Sequence, residues 1–163
     1  MITRRRLLEL ALPGFALGAS PHSLRALGAS PAQNVVRLNV WKHSGIGCCG
    51  PWIADLVTSG LQVEMEQTRS PTALREDFGI PKDLWGCHTA VMEGYVIEGH
   101  VPPVDLQRLL DDRPLIRGLA AIGFLDESGR IKTEGNYDVM AFARGDIRSL
   151  YATHECVGYP SDA

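Results

Sequence analysis

Two adjacent cysteines, Cys48 and Cys49, stand in the stretch HSGIGCCGPW, between glycines and just before a proline. A second pair of chemically capable residues, Cys87 and His88, lies in the stretch WGCHTAV. Thiols so arranged suggest a redox pair, a vicinal disulfide or metal ligands. Thioredoxin-type exchange needs two cysteines separated by two residues, so that both sulfurs reach across one helical turn, and that spacing is absent. A vicinal disulfide closes a small ring that strains the intervening peptide. Thiolates beside an imidazole, by contrast, form a soft ligand set that suits monovalent copper. Zinc accepts three cysteines and a histidine, but structural zinc sites usually separate paired cysteines by two to four residues. Adjacent thiolates are better placed to bridge different ions of a polynuclear cluster than to chelate one. Glycines at 45, 47 and 50 let backbone N–H groups face the sulfurs, and the positive end of a helix opening near Pro51 favours thiolates there.

Other residues compete less well. His100 follows a strand-like run on the face of Val96 and Glu98, and alone reads as an ordinary, partly exposed histidine. Met92 reads as core. His43 is as readily solvated as ligating. His154 and Cys156 near the carboxyl end read as part of an ill-ordered tail, with a fourth thiol or a disulfide partner as alternatives. Glu64 and Glu66 read as the wet face of a strand. A nucleophilic Cys87 activated by His88 is opposed by geometry, because neighbours along a strand point to opposite faces. The sequence holds no phosphate-binding glycine loop, no G-x-S-x-G elbow and no H-E-x-x-H.

Position must come from the elements. VVRLNVW alternates and reads as a strand, with Val36, Leu38 and Val40 on one face. PWIADLVTSG reads as a helix opened by Pro51 and stopped by Gly60, with Trp52, Ile53, Leu56 and Val57 as its apolar stripe. LQVEMEQ is a second strand, and SPTALREDFG a second helix capped by Ser70. CHTAVMEGYVIEGHV reads as a hairpin turning at Glu93-Gly94. A third helix follows from Pro103, with Leu106, Leu109 and Leu110 inward and Asp105, Arg108, Asp111 and Asp112 outward. Residues 118–135 read as a loop, and YDVMAFAR as a further strand. The order β-α-β-α-β-β-α is that of an α/β, thioredoxin-like fold with a central mixed sheet and flanking helices. In that fold the turn from the first strand into the first helix packs beside the loop entering the third strand. Cys48, Cys49, Cys87 and His88 are therefore predicted to converge.

At 163 residues the chain can bury a proper core, and 45% hydrophobic with 21% charged residues is ordinary for a globular protein. The formal net charge of −3 hides a basic start, Arg4, Arg5, Arg6 and Arg25 against Glu9, so the remainder is more acidic still. That argues against nucleic acid as a partner, since no basic surface is left to hold phosphates. MITRRRLLELALPGFALGAS has the basic, apolar and small-residue parts of an export signal, and TRRRLLE resembles the twin-arginine form. Its apolar run is too short to span a bilayer and is interrupted by Pro13. The division predicted is an export signal over residues 1–32 and a single metal-binding domain over 33–163. That places the mature chain in the periplasm or otherwise outside the cytoplasm, where a disulfide from Cys48 or Cys49 to Cys87 becomes a rival to any metal site. No stable membrane insertion of the mature chain is expected.

VWKHSGIGCCGPWIADLVTSGLQVE followed by IPKDLWGCHTAVMEGYVIEGHVPPVDLQRLL resembles the CopG-type copper-resistance proteins, the domain of unknown function 411, from about Val36 to Tyr151. The resemblance implies export, a thioredoxin-like fold, Cu(I) held by clustered cysteines, a part in copper redox handling and possible periplasmic copper-handling partners. The family's C-x-C-C motif falls on Ile46, Gly47, Cys48 and Cys49, so Ile46 replaces its first cysteine. Cys87 and His88 match the Cys-His pair, and His100 matches the histidine of the EGHVP block. After RGLA the family commonly carries a proline- and methionine-rich loop, where this chain reads AIGFLDESGRI. The metal ligands implied are Cys48, Cys49, Cys87, His88 and His100, with fewer bridging thiolates than the family pattern.

Overall fold

The computed structural model describes residues 36–43, 49–68, 70–124, 127 and 132–156. The expected export signal, Ile46 and Cys48 lie outside these. Strand β1 (Arg37–His43) leads to helix α1 (Cys49–Thr58), strand β2 (Gln62–Thr68) and helix α2 (Pro71–Phe78). A short 3-10 turn, Lys82–Leu84, precedes the hairpin of β3 (His88–Met92) and β4 (Tyr95–Glu98). Helix α3 (Pro103–Asp112) then joins β5 (Gly118–Ile122), β6 (Asn136–Phe142) and β7 (Arg148–Glu155). The strands form one mixed sheet in the order β2-β1-β3-β4-β5-β6-β7. β1 runs parallel to β2 and β4 to β5; the other neighbours are antiparallel. The chain is thus α/β, and the β-α-β-α-β-β-α order expected from the sequence is present.

Local chemistry accounts for the elements. Ser70 caps α2 by accepting from the Ala73 N–H at 3.4 Å, Pro71 opens the helix, and Gly79 closes it at a φ of 68°. Helix α1 begins at Cys49, two residues before the expected Pro51. The hairpin turns at Glu93 and Gly94, both at positive φ.

Alternation along the strands gives the sheet two apolar faces. On one, Leu38, Val40, Met92, Ile97 and Leu119 pack with Trp52 and Leu56 of α1 and Leu106 and Leu109 of α3. On the other, Val96, Ala120 and Phe142 pack with Ile80 and Leu84 beyond α2. Helices on both faces cover a sheet that neither side could cover alone.

Three expectations are corrected. The supposed loop 118–135 begins with β5, whose Gly118–Ile122 segment is almost wholly buried between β4 and β6. The supposed ill-ordered tail is β7, paired along β6 as far as Asn136↔Glu155. Asp105 does not point to solvent: it is 3% exposed, because Arg108 and His154 pair with its carboxylate.

Candidate metal centre

Register places the chemistry. Lys42 of β1 pairs with His88 of β3, so β3 starts beside the end of β1. Cys49, as first residue of α1, returns to this same edge of the core. Its buried Sγ lies 3.3 Å from His88 Nδ1, and Cys87 Sγ lies 3.2 Å from that same nitrogen. Direct Cys87–His88 contact was opposed by strand alternation. It occurs because β3 begins at His88, so Cys87 stands before the pleated run and can fold back onto its neighbour.

His100 joins from the connection between β4 and α3. One ligand atom from each of Cys49, Cys87, His88 and His100 lies within 4.8 Å of all the others. The expectation of a partly exposed His100 fails: it is 5% exposed, and neither ring nitrogen has a hydrogen-bond partner among the described residues. Its ring is held by stacking. Trp52 lies parallel to it at 5.9 Å, Phe124 stacks at 4.6 Å, and His88 sits 5.2 Å away. Trp52 also packs against His88 at 4.2 Å and donates its indole N–H to the Val101 carbonyl, tying α1 to the residue after His100.

The Cys87 loop and the His100 loop are brought into register by glycines and one carboxylate. A side chain on Gly86 would come within 3.1 Å of the Gly99 Cα, so the missing Cβ of Gly86 allows the two backbones to touch. Gly99 also donates its N–H to the His88 carbonyl. Glu98, fully buried, accepts from the Gly86 N–H at 2.7 Å, Arg75 Nε at 2.8 Å and the Thr89 hydroxyl at 2.6 Å. Burial pushes its carboxyl above the ordinary carboxylate range, against the pull of Thr89, Arg75 and Gly86. Sequence reasoning missed this clamp and the Phe124 stack. The EGH spelling hints at the former only in that a glutamate in a strand-like run needs a cation, and nothing local names Arg75.

Of the predicted site residues, the structure brings together Cys49, Cys87, His88 and His100, while Cys48 lies outside the described residues. Met92 is fully buried core, as expected. His43 closes β1. His154 and Cys156 lie elsewhere, at the end of β7 and just beyond it. The donor set is two thiols and two imidazoles in a largely buried, aromatic-walled pocket. Soft sulfur with imidazole nitrogen fits a closed-shell, thiophilic ion, and a buried imidazole with no hydrogen-bond partner is the polar group such an ion satisfies.

Among known proteins, the family described as "Protein of unknown function, DUF411" matches over residues 84–127. Solved structures of "Copper resistance protein copG" match in two forms. Form 2 is 28% identical, with a TM-score of 0.64 over 74% of this chain and 98% of that one. Form 1 is 28% identical, with a TM-score of 0.63 over 76% and 99%. No curated protein matches the chain. The family match and the two structures together support assigning the chain to the CopG-type copper-resistance family, DUF411.

Proposed function

We propose that this chain is an exported copper-tolerance protein. It holds Cu(I) as cargo between Cys49, Cys87, His88 and His100, with Cys48 as a further thiolate of the same loop. The observation that carries the reading is the convergence of two thiols and two imidazoles, from three separate segments, within 4.8 Å. The likeness to copper-resistance structures supports copper over other soft ions, zinc included. The strand order β2-β1-β3-β4 with its flanking helices supports a thioredoxin-like core. The arginine-rich start supports export, of twin-arginine type, and a periplasmic place for the mature chain.

Each residue has a task. The thiols of Cys49 and Cys87 release their protons as they take the ion. His88 and His100 add nitrogen ligands, while Trp52 and Phe124 fix the rings and exclude water. Ile46, in place of a cysteine, leaves one thiolate fewer to be shared between ions, so the chain holds a single Cu(I) or a reduced cluster.

Anaerobic titration of the reduced protein with Cu(I) should give ultraviolet thiolate-to-copper absorption. In a Cys49→Ser/Cys87→Ser variant that signal should fall severalfold. An unchanged signal in the variant would sink the proposal. A second reading, thiol or copper redox turnover, is favoured by the approach of both sulfurs to one His88 nitrogen. It requires catalysed reduction of a test disulfide, or catalysed Cu(I) oxidation with a supplied acceptor. Mass-spectrometric thiol counting on periplasmic material tests the remaining alternative, a Cys49–Cys87 disulfide in a domain without metal.

A further inference from the structure

A cavity of about 260 Å³ adjoins this centre, walled by Trp52, His100, Phe124, Tyr137, His154 and Cys156. It therefore shares His100 with the cluster and Trp52 with the wall beside it, and adds an imidazole and a thiol that the cluster does not use. His154 belongs to β7, and Cys156 follows two positions later, the spacing that keeps two side chains on one side of an extended chain. The Cys156 N–H donates to the Gly135 carbonyl at 2.7 Å, which fixes this end of the strand.

His154 is oriented. Its Nε2 lies 2.6 Å from Asp105 Oδ2, and that carboxylate is itself buried and paired with Arg108 at 3.4 Å. A carboxylate accepts, so Nε2 carries the hydrogen, and in the neutral imidazole Nδ1 is the nitrogen that offers a lone pair. A carboxylate behind the far nitrogen is the arrangement that holds metal-binding histidines in place. An ion pair between α3 and β7 alone would explain Asp105 and His154. It would not explain His100, whose two nitrogens are both buried without a hydrogen-bond partner although the cluster takes a single ligand atom from it. His100 thus carries one nitrogen more than the cluster requires, and it is among the residues lining a cavity that holds a thiol and an oriented imidazole.

We propose that His154 and Cys156 form a second binding site for a thiophilic monovalent cation, adjoining the first across His100. Binding exchanges the Cys156 thiol proton, which leaves to solvent, for a metal–sulfur bond. No electron is transferred. Soft monovalent ions accept low coordination numbers, so one sulfur and one nitrogen suffice.

The test is residue-resolved alkylation of the reduced full chain under anaerobic conditions, with Cu(I) added stepwise and each cysteine read by mass spectrometry. Cys156 should become protected from iodoacetamide as Cu(I) rises, and His154→Ala should abolish that protection. Asp105→Asn should raise the Cu(I) needed by about 10–100-fold. Circular dichroism confirms that each variant is folded. Alkylation of Cys156 at a rate independent of Cu(I) in the unmodified chain, which needs no variant, overturns the site. So does protection that survives His154→Ala. Cys49 and Cys87 are read in the same experiment, so failure of the main centre shows separately as absence of protection there.

Discussion

Tyr137 stands half-buried between Phe124 and His154, and burial, with Asp105 and Cys156 adding negative charge nearby, pushes its phenol up to about 12 from an ordinary 10.0. An acid whose folded value lies above its unfolded one favours the fold only while protonated. Its contribution is complete below about pH 10 and is lost as pH rises through about 12. Urea denaturation across that window should therefore show a shallower loss of stability in Tyr137→Phe than in the parent chain. Coincident alkaline profiles would show that the phenol contributes nothing. Residue-level chemistry was legible where types alone carried it: two cysteine segments and a Cys-His step. For His100, named as a ligand only through the family resemblance, types and spacing missed the burial, which depends on Trp52 and Phe124, distant along the chain. Nor was the chemistry legible for His154, whose partner Asp105 reads as a solvent-facing helix residue until β7 is laid against α3.

At the scale of elements, the seating of the His100 loop against β5 and Phe124 depends on Gly99. Its φ is 69°, and a Cβ there would meet the Ala121 carbonyl oxygen at 3.0 Å and the Phe124 ring at 3.1 Å. Gly99→Ala should cost about 1–3 kcal/mol in chemical denaturation and also weaken Cu(I) binding, because Phe124 must shift and His100 with it. Gly94→Ala is the control. Gly94 also has positive φ but open space around it, so stability should fall without loss of affinity. Equal Cu(I) affinity in both variants would separate the glycine contact from the site. The capped helix α2 and the Glu93-Gly94 hairpin were readable because their signals are local. β5 was not, because Gly-Leu-Ala-Ala-Ile carries little β-branched or alternating pattern and is a strand only by burial between two others. β7 was obscured because most of its residues are exposed and its pairing with β6 supplies what its hydrophobicity does not.

For the whole molecule, the centre links α1, the start of β3 and the β4–α3 connection, so a bound ion would hold together parts of the fold distant in sequence. A ligand at 100 times its dissociation constant stabilises by about 2.7 kcal/mol if it binds only the folded form, and unfolded thiols reduce that gain. The thermal midpoint of the reduced protein should rise with Cu(I), return on adding a Cu(I) chelator, and rise much less in Cys49→Ser/Cys87→Ser. A midpoint indifferent to Cu(I) would mean that the ion does not bridge these elements. Composition already spoke for a globular chain, and the order of elements for a mixed sheet. The three-strand extension β5-β6-β7, which carries the second cavity wall, rests on tertiary pairing instead. The buried Arg75–Glu98 pair has a last consequence, for the surrounding medium. An exposed pair such as Arg37–Glu64 is weakened by dissolved ions over a screening length of about 10 Å at 0.1 M. Arg75 and Glu98 have side chains only 11% and 0% exposed, where that screening is much weaker. The alignment of Cys87 with His100 should therefore depend far less on ionic strength than a surface pair would, in dilute and briny surroundings alike.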